Sequence, residues 1–351
     1  MMTNSERLLS AFSEKIFYKE LVYSNLKFTP PGKTEVELAD LIINLEDIVI
    51  IVQLKERNES DRTESIRTEE RWLHTNRKNA KKQIAETIKY IREGTTTFVN
   101  SRGMKMGIRQ DARIVPLVVF DNKSIEDYKH LLSYQIEADE EYVNCISLPD
   151  FQIMCKRLVS PMEIIQYIEW RERFYKENGE VNYLITDTKN GFFISKPRNN
   201  EALVTQYLYE SYGEEKLSDV GDDVVLFNQY LYVLHEHTDF SSEENSSYPI
   251  VVFLAHLRLE EIRCFVERVR KGLETSKNKD FSLVGTMRNT IRNYCIVFTA
   301  TEQGEMIPFE KLIETIYETQ SVTELLQVAT SWVNSTEYRI DFMYWSKMNI
   351  N

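Results

Sequence analysis

The sequence predicts an α/β protein: a central mixed sheet flanked by helices, followed by a mainly helical α+β second part. Three observations predict it. Two apolar runs, ADLIIN and IVIIVQL, joined by a tight turn at Glu46-Asp47, read as a strand hairpin over 38–44 and 48–54. Helical periodicity at 4–17, 71–92 and 160–179 alternates with the buried-strand runs IVPLVVFD (114–121) and YVNCISL (142–148). From about Val181 the pattern changes to one dominated by helical spacing. A length of 351 residues suggests two domains, at about 150 residues each, here 1–160 and 161–351.

Each element has its own signal. Leu8, Leu9, Phe12, Ile16 and Phe17 recur at helical spacing over 4–17, and the PPG at 30–32 breaks the chain. The hairpin follows, then a polar loop or solvated helix start over 56–70. The next helix, 71–92, is closed by Gly94. TTFVNSRGMKMGI suggests two short strands around Arg102-Gly103. Ser160-Pro161 opens the helix that ends at Gly179. Beyond it come a short hairpin, NYLITDTKNGFFIS, helices near 202–211, 223–236, 258–275 and 307–332, and strands at 249–254 and 292–300.

Composition narrows the functional classes. Only 8 Pro and 11 Gly argue against a long disordered region. No apolar run approaches the roughly 18 residues of a membrane span, and MMTNSERLLSAFSEK lacks the apolar core of a secretory signal. Cys145, Cys155, Cys264 and Cys295 lie far apart without a CxxC pair, which suits a reducing compartment and argues against structural zinc. The expectation is a cytoplasmic protein without membrane association. Net charge is -12, yet Arg71–Arg113 holds 11 Lys and Arg against three acids, a local +8 that leaves -20 for the rest. A basic segment on an acidic body is either a polyanion-binding surface or a solvated helix face. Walker A, GxGxxG, HExxH and GxSxG motifs are absent.

The hairpin carries the chemistry. A two-residue turn sets Ile42 opposite Ile51, Asp40 opposite Gln53 and Leu38 opposite Lys55. Side chains alternate along a strand, so Asp40, Gln53 and Lys55 share a face with Ile42, Val49 and Ile51. The other face carries Leu41, Ile43, Ile50, Val52 and Leu54, as in a strand covered on both sides. The polar trio gathers at one end. Metal-assisted phosphodiester hydrolysis wants this set: a carboxylate (Asp40) for Mg²⁺, an amide oxygen (Gln53) as auxiliary ligand, and an ammonium (Lys55) to orient water or offset developing charge. The plain alternative is a strand leaving the core where polar residues begin.

Asp40, a spacer of twelve and then Gln53-Leu54-Lys55 resembles the PD-(D/E)xK nuclease superfamily, in the QxK form similar to Mrr-type restriction enzymes. The resemblance covers residues 1 to about 160. Ala39 stands where the family has proline, and Gln53 replaces the usual second acid. The resemblance implies a restriction-endonuclease-like domain and an endonuclease acting on DNA with Mg²⁺ (or Mn²⁺). It also implies a homodimer cutting both strands, and a setting in bacterial restriction or phage defence. In the family an acid on the first helix often completes the site. Of Glu6, Glu14 and Glu20, Glu6 is preferred, because it borders the apolar stripe. Glu37 belongs to the wrong face unless a bulge intervenes. A helical Gln beside the site is common in related nucleases, which points to Gln83 in the stripe Ala80, Ile84, Thr87, Ile88, Ile91. Lys78, Lys81 and Lys82, with Arg102 and Lys105 on the second hairpin, would then meet the DNA backbone. Residues 161–351 would recognise substrate, a partner protein or a second subunit. Two alternatives stand beside this one: a binding or scaffold protein that keeps the fold without cleavage, and an RNA-directed nuclease. The cluster His235-Glu236-His237 reads as a solvated helix end, and the aromatic run at 337–348 as core or an oligomer contact.

Overall fold

The computed structural model describes residues 3–28, 36–61, 65–94, 97–100, 103, 105–122, 143–158, 160–178, 184–188, 191–195, 200–213, 220–237, 247–277, 281–289, 293–301, 315–316, 322–334 and 337–346. Both parts are α/β, with mixed sheets flanked by helices. The chain divides into two compact units, Met1–Ser218 and Asp219–Asn351.

The first unit opens with helix α1 (Asn4–Ile16) and an antiparallel meander of β1 (Val22–Phe28), β2 (Val36–Asn44) and β3 (Ile48–Glu56). A single 3₁₀ turn at Glu59–Asp61 precedes the long helix α2 (Ile66–Arg92). A two-stranded ribbon, β4 (Thr97–Val99) and β5 (Lys105–Gly107), matches the two short strands expected there. Strands β6 (Arg113–Asp121) and β7 (Asn144–Ser147) then extend the sheet in parallel, giving the order β1-β2-β3-β6-β7. Helices α3 (Leu148–Leu158) and α4 (Pro161–Asn178), the hairpin β8 (Leu184–Thr188) and β9 (Gly191–Ser195), and helix α5 (Asn200–Tyr212) complete it.

The hairpin register is the expected one: Leu41, Ile42 and Ile43 face Val52, Ile51 and Ile50. Glu46 takes the left-handed conformation (φ 68°) that a tight turn requires, and the Arg113 N–H donates to Asp47 O at 2.8 Å, tying the start of β6 to the turn. The face that carries Ile42, Val49, Ile51 and Val118 packs under α2 through Leu73, Ala80, Ile84 and Ile91. Leu41, Ile43, Ile50 and Val52 on the opposite face are also buried, so the strands are covered on both sides. Burial of each such side chain stabilises by about 1.5–3 kcal/mol, so no part of the hairpin short of its polar end can turn to solvent cheaply. α2 is closed by Gly94, whose left-handed backbone (φ 68°) favours glycine.

The first unit runs past residue 160 because α4 and α5 belong to it. Glu163, fully buried, accepts from the Tyr207 hydroxyl and from the Tyr212 hydroxyl at 2.6 Å, while Trp170 Nε1 donates to Glu210 at 2.7 Å. The boundary expected at 160/161 would instead part α4 from the sheet it packs on: Arg113 on β6 pairs with Glu169, and the Asn144 amide on β7 donates to the Ile168 carbonyl at 3.4 Å.

The second unit holds α6 (Val220–His237), α7 (Ser247–Ala255), α8 (Leu259–Ser276), and a sheet of β10 (Phe281–Asn289), β11 (Tyr294–Thr301), β12 (Glu324–Trp332) and β13 (Tyr338–Ser346). β11 and β12 run parallel at its centre, and β10 and β13 pair antiparallel outside them. α8 packs on one face, with Phe265 against Phe298 at 5.3 Å and Gly272 against Thr330. A four-stranded sheet is more strand than the mainly helical expectation allows. The strand expected at 249–254 lies within α7, and the helix expected at 307–332 gives way to a strand from Glu324. α7 and β12 are buried almost throughout, and continuous burial erases the periods that separate helix from strand; most of 307–321 lies outside the described residues. The loop expected at 237–249 lies largely outside the described residues. Among the described residues no helix is long and apolar enough to cross a membrane.

Candidate active site where two strands part

β2 and β3 pair only as far as Leu41 and Val52. The Leu45 N–H donates to Ile48 O at 2.9 Å, so ladder bonds recur at Ile43–Ile50 and Leu41–Val52, and the next would join Ala39 to Leu54. That bond is replaced. The Leu54 N–H donates instead to the Asp40 carboxylate, at 2.7 Å from Oδ2. β3 stays on β6 through Glu56, while β2 follows β1 away. Asp40, half-buried, therefore marks the point where the sheet opens. The direct Asp40–Gln53 pairing expected from the turn is not formed, because the register ends one residue earlier.

A bulge accompanies the opening. Leu26 faces Ala39, but Lys27 faces Glu37, so Leu38 is an extra residue on β2. Such bulges re-aim the chain next to them. The buried Thr87 hydroxyl donates to the Leu38 carbonyl and lies 3.0 Å from the Gln83 carbonyl one helical turn earlier. The bulge that would bring Glu37 toward the site face exists, but the Glu37 side chain lies outside the described residues.

Lys55, half-buried, donates from Nζ to Gln83 Oε1 at 2.7 Å. Gln83 was expected inside the stripe of α2, yet it is exposed at its rim. At 100° per residue it sits about 60° from Ala80, on the flank of the face that buries Ala80, Ile84, Thr87 and Ile91. Gln53 is buried, two residues before Lys55 on the same face. The structure thus brings Asp40, Gln53, Lys55 and Gln83 to one end of one sheet face.

Other expected residues fall elsewhere. The Glu6 carboxylate closes a capping box, accepting the Thr3 N–H at 2.6 Å while its own N–H donates to Thr3 Oγ1 at 3.2 Å. The start of α1 does lie at the right end of the sheet, since Ser5 donates to Asp121 on β6, opposite Glu56. Glu20 is buried, but near the opposite end of β1. Val22 pairs with Ile43, so Glu20 stands about five strand residues, or roughly 16 Å, from the level of Asp40. Lys78 and Lys82 are exposed on the side of α2 turned from the sheet, Lys81 is half-buried, and Lys82 lies 4.0 Å from Glu86. Lys105 is placed on β5 with its side chain outside the described residues, and Arg102 lies outside them altogether. The basic stretch is not one open patch: Arg92 binds the Ala112 carbonyl at 2.9 Å, Arg109 pairs with Asp111 at 2.7 Å, and Arg113 pairs with Glu169. The Arg109–Asp111 pair holds the Asp111 carboxyl below its usual pKa.

One network was not expected from the sequence. Arg57, two residues past Lys55, pairs with the buried Glu69 at 3.2 Å and lies over Trp72, 5.7 Å from the ring centroid. Glu69 also accepts from Asn122 at 2.8 Å, and Trp72 meets Phe120 edge-on at 6.0 Å. The Arg57 N–H donates to the Asp121 carbonyl at 2.9 Å. These contacts clamp the ends of β3 and β6 to the first turns of α2. The only sequence signal was Glu69 in a segment read as polar loop, and nothing there marks one of its acids as buried.

A divalent ion needs oxygen donors. Among the described residues no three His, Cys, Asp or Glu side chains group to hold one. Mg²⁺ keeps several waters and is commonly held by one or two carboxylates, so one carboxylate (Asp40) with an amide oxygen (Gln53) fits a lightly anchored ion. Burial pushes the thiols of Cys145 and Cys295 up to about 11 and raises that of Cys155 further, which marks these three as core residues and not nucleophiles. No protein-family model, curated protein or solved structure matches the chain.

Proposed function

We propose that the protein is a Mg²⁺- or Mn²⁺-dependent nuclease acting on DNA, with a first unit of the restriction-endonuclease-like kind. The observation that carries this reading is the placement of Asp40 and Lys55 on one face of β2 and β3 where those strands part, with Gln83 on Lys55. The chain order of helix, three-stranded meander, helix and two parallel strands supports it. Asp40 and Gln53 would hold the metal, which when bound supplies Lewis-acid stabilisation of the scissile phosphate and a more acidic water. Lys55 would orient the attacking water and offset charge developing on the phosphate. Gln83 fixes the Lys55 ammonium at the rim and can accept a proton-bearing partner in its place. Lys78, Lys81 and Lys82 would contribute sequence-independent phosphate contacts from the outer side of α2. Homodimer formation and a role in restriction or phage defence belong to the same proposal.

Gln53 favours a second reading. An amide in place of a second acid leaves the site one charge short, which suits a protein that binds nucleic acid without cutting it. The test is to incubate purified protein with supercoiled and linear DNA, with Mg²⁺, Mn²⁺ or EDTA, and with matched RNA as competitor. Metal-dependent DNA cutting supports the nuclease. Binding without cutting under every metal supports the second reading, and preferential cutting of RNA would move the substrate assignment.

A further inference from the structure

The nuclease reading leaves open what sets the gap between Asp40 and Lys55. Backbone pairing of their strands ends at Leu41–Val52, and beyond it the Leu54 N–H to Asp40 contact joins β3 to β2. Both are also held from above, by one turn of α2. Gln83 binds Lys55 Nζ at 2.7 Å. Thr87, four residues on, is 1% exposed and donates its hydroxyl to the carbonyl of the bulged Leu38, two residues before Asp40. The hydroxyl also lies 3.0 Å from the Gln83 carbonyl, which couples the two contacts through the helix backbone. A bulged residue leaves its ladder, and its carbonyl needs another donor once buried.

We propose that Thr87 is a positioning residue for the candidate active site: by taking the Leu38 carbonyl it fixes the β2 bulge, and so the distance of Asp40 from Lys55. The inference rests on the nuclease reading for its catalytic consequence, but not for its structural one. The Leu54 N–H reports the structural part directly, because its acceptor is the Asp40 carboxylate. If the bulge shifts, Asp40 withdraws and the Leu54 amide loses its partner.

The experiment compares wild type, Thr87→Val and Thr87→Ser. Valine keeps the shape and removes the hydroxyl; serine keeps the hydroxyl. Two quantities are measured: steady-state cleavage of a linear DNA duplex in Mg²⁺, and hydrogen exchange at the Leu54 amide by mass spectrometry with overlapping peptides. Thr87→Val should lower kcat by about 10- to 100-fold, the scale of an ångström-level misplacement, with KM for DNA within about twofold. Exchange at Leu54 should quicken on the order of tenfold, as for loss of one hydrogen bond. Thr87→Ser should restore both to near wild type. The proposal is overturned if Thr87→Val leaves Leu54 exchange unchanged, if exchange quickens while kcat does not fall, or if serine fails as badly as valine, which would make the role one of packing. If wild type cuts no DNA, the nuclease reading fails by itself, and Leu54 exchange still decides whether Thr87 sets the position of Asp40.

Discussion

The two sheets are built alike and use their polar residues differently. Each has a parallel pair at its centre, β3–β6 in the first unit and β11–β12 in the second, buried on both faces. In the second unit the polar side chains lie in mid-strand. Gln327 donates to Thr299 Oγ1 at 3.2 Å, Thr330 donates to the Thr299 carbonyl at 3.1 Å, and Gln327 Oε1 is buried without a hydrogen-bond partner. In the first unit the central pair is apolar over 48–52 and 114–120, and Asp40, Gln53, Lys55 and Arg57 gather where the pairing of β2 with β3 ends. Mid-strand polar groups are sealed from any ligand. At the parting of the strands Asp40 and Lys55 are only half-buried, while Gln53 beside them is buried. The difference supports placing the proposed site on the first sheet.

Three substitutions test the contrast. The largest effect is expected at Asp40. Asp40→Ala should reduce metal-dependent cleavage on the order of 10³-fold, measured as first-order loss of supercoiled plasmid. It should also expose the Leu54 amide to exchange, since the same carboxylate closes the ladder. Next is the clamp beside the site. Glu69→Ala removes the partner of a largely buried Arg57 and should destabilise the first unit by about 3 kcal/mol, a drop of roughly 6–12 °C in its Tm by calorimetry. The smallest effect belongs to the second sheet. Gln327→Met replaces an amide with one unsatisfied end by an apolar side chain of similar volume, and should change stability by less than about 1 kcal/mol in denaturant titration. A loss at Gln327 as large as that at Glu69 would erase the contrast.

Much of this architecture could be read from sequence alone. The hairpin register followed from the apolar run and a two-residue turn, and period-2 alternation put Asp40, Gln53 and Lys55 on the face that α2 covers. The stripe Ala80, Ile84, Thr87, Ile91 gave the buried face of α2. Strand β1 was not legible: VYSNLKF mixes polar and apolar residues, and its partners on β2, from Val36 opposite Phe28 to Ile43 opposite Val22, lie across the PPG that breaks the chain. The parting of β2 and β3 was not legible either, since a side chain replacing a backbone acceptor leaves no pattern in composition. Gln83 meets Lys55 from the exposed rim of α2 and not from inside its stripe, a distinction hard to read because rim and centre differ by less than one residue's rotation. In the second unit, α7 and β12 are buried on every side, so the runs PIVVFLA and LLQVATSW carry no period that separates helix from strand.

The most direct test is Lys55→Ala, assayed for binding and cutting on the same DNA duplex. Lys55 sits at the parting of the strands and, unlike Asp40, closes no backbone ladder bond, so its loss should leave the fold intact. Kd should stay within about twofold of wild type while Mg²⁺-dependent cleavage falls on the order of 10²- to 10³-fold. Cleavage by Lys55→Ala at the wild-type rate would remove Lys55 from the chemistry and move the site to another part of the molecule.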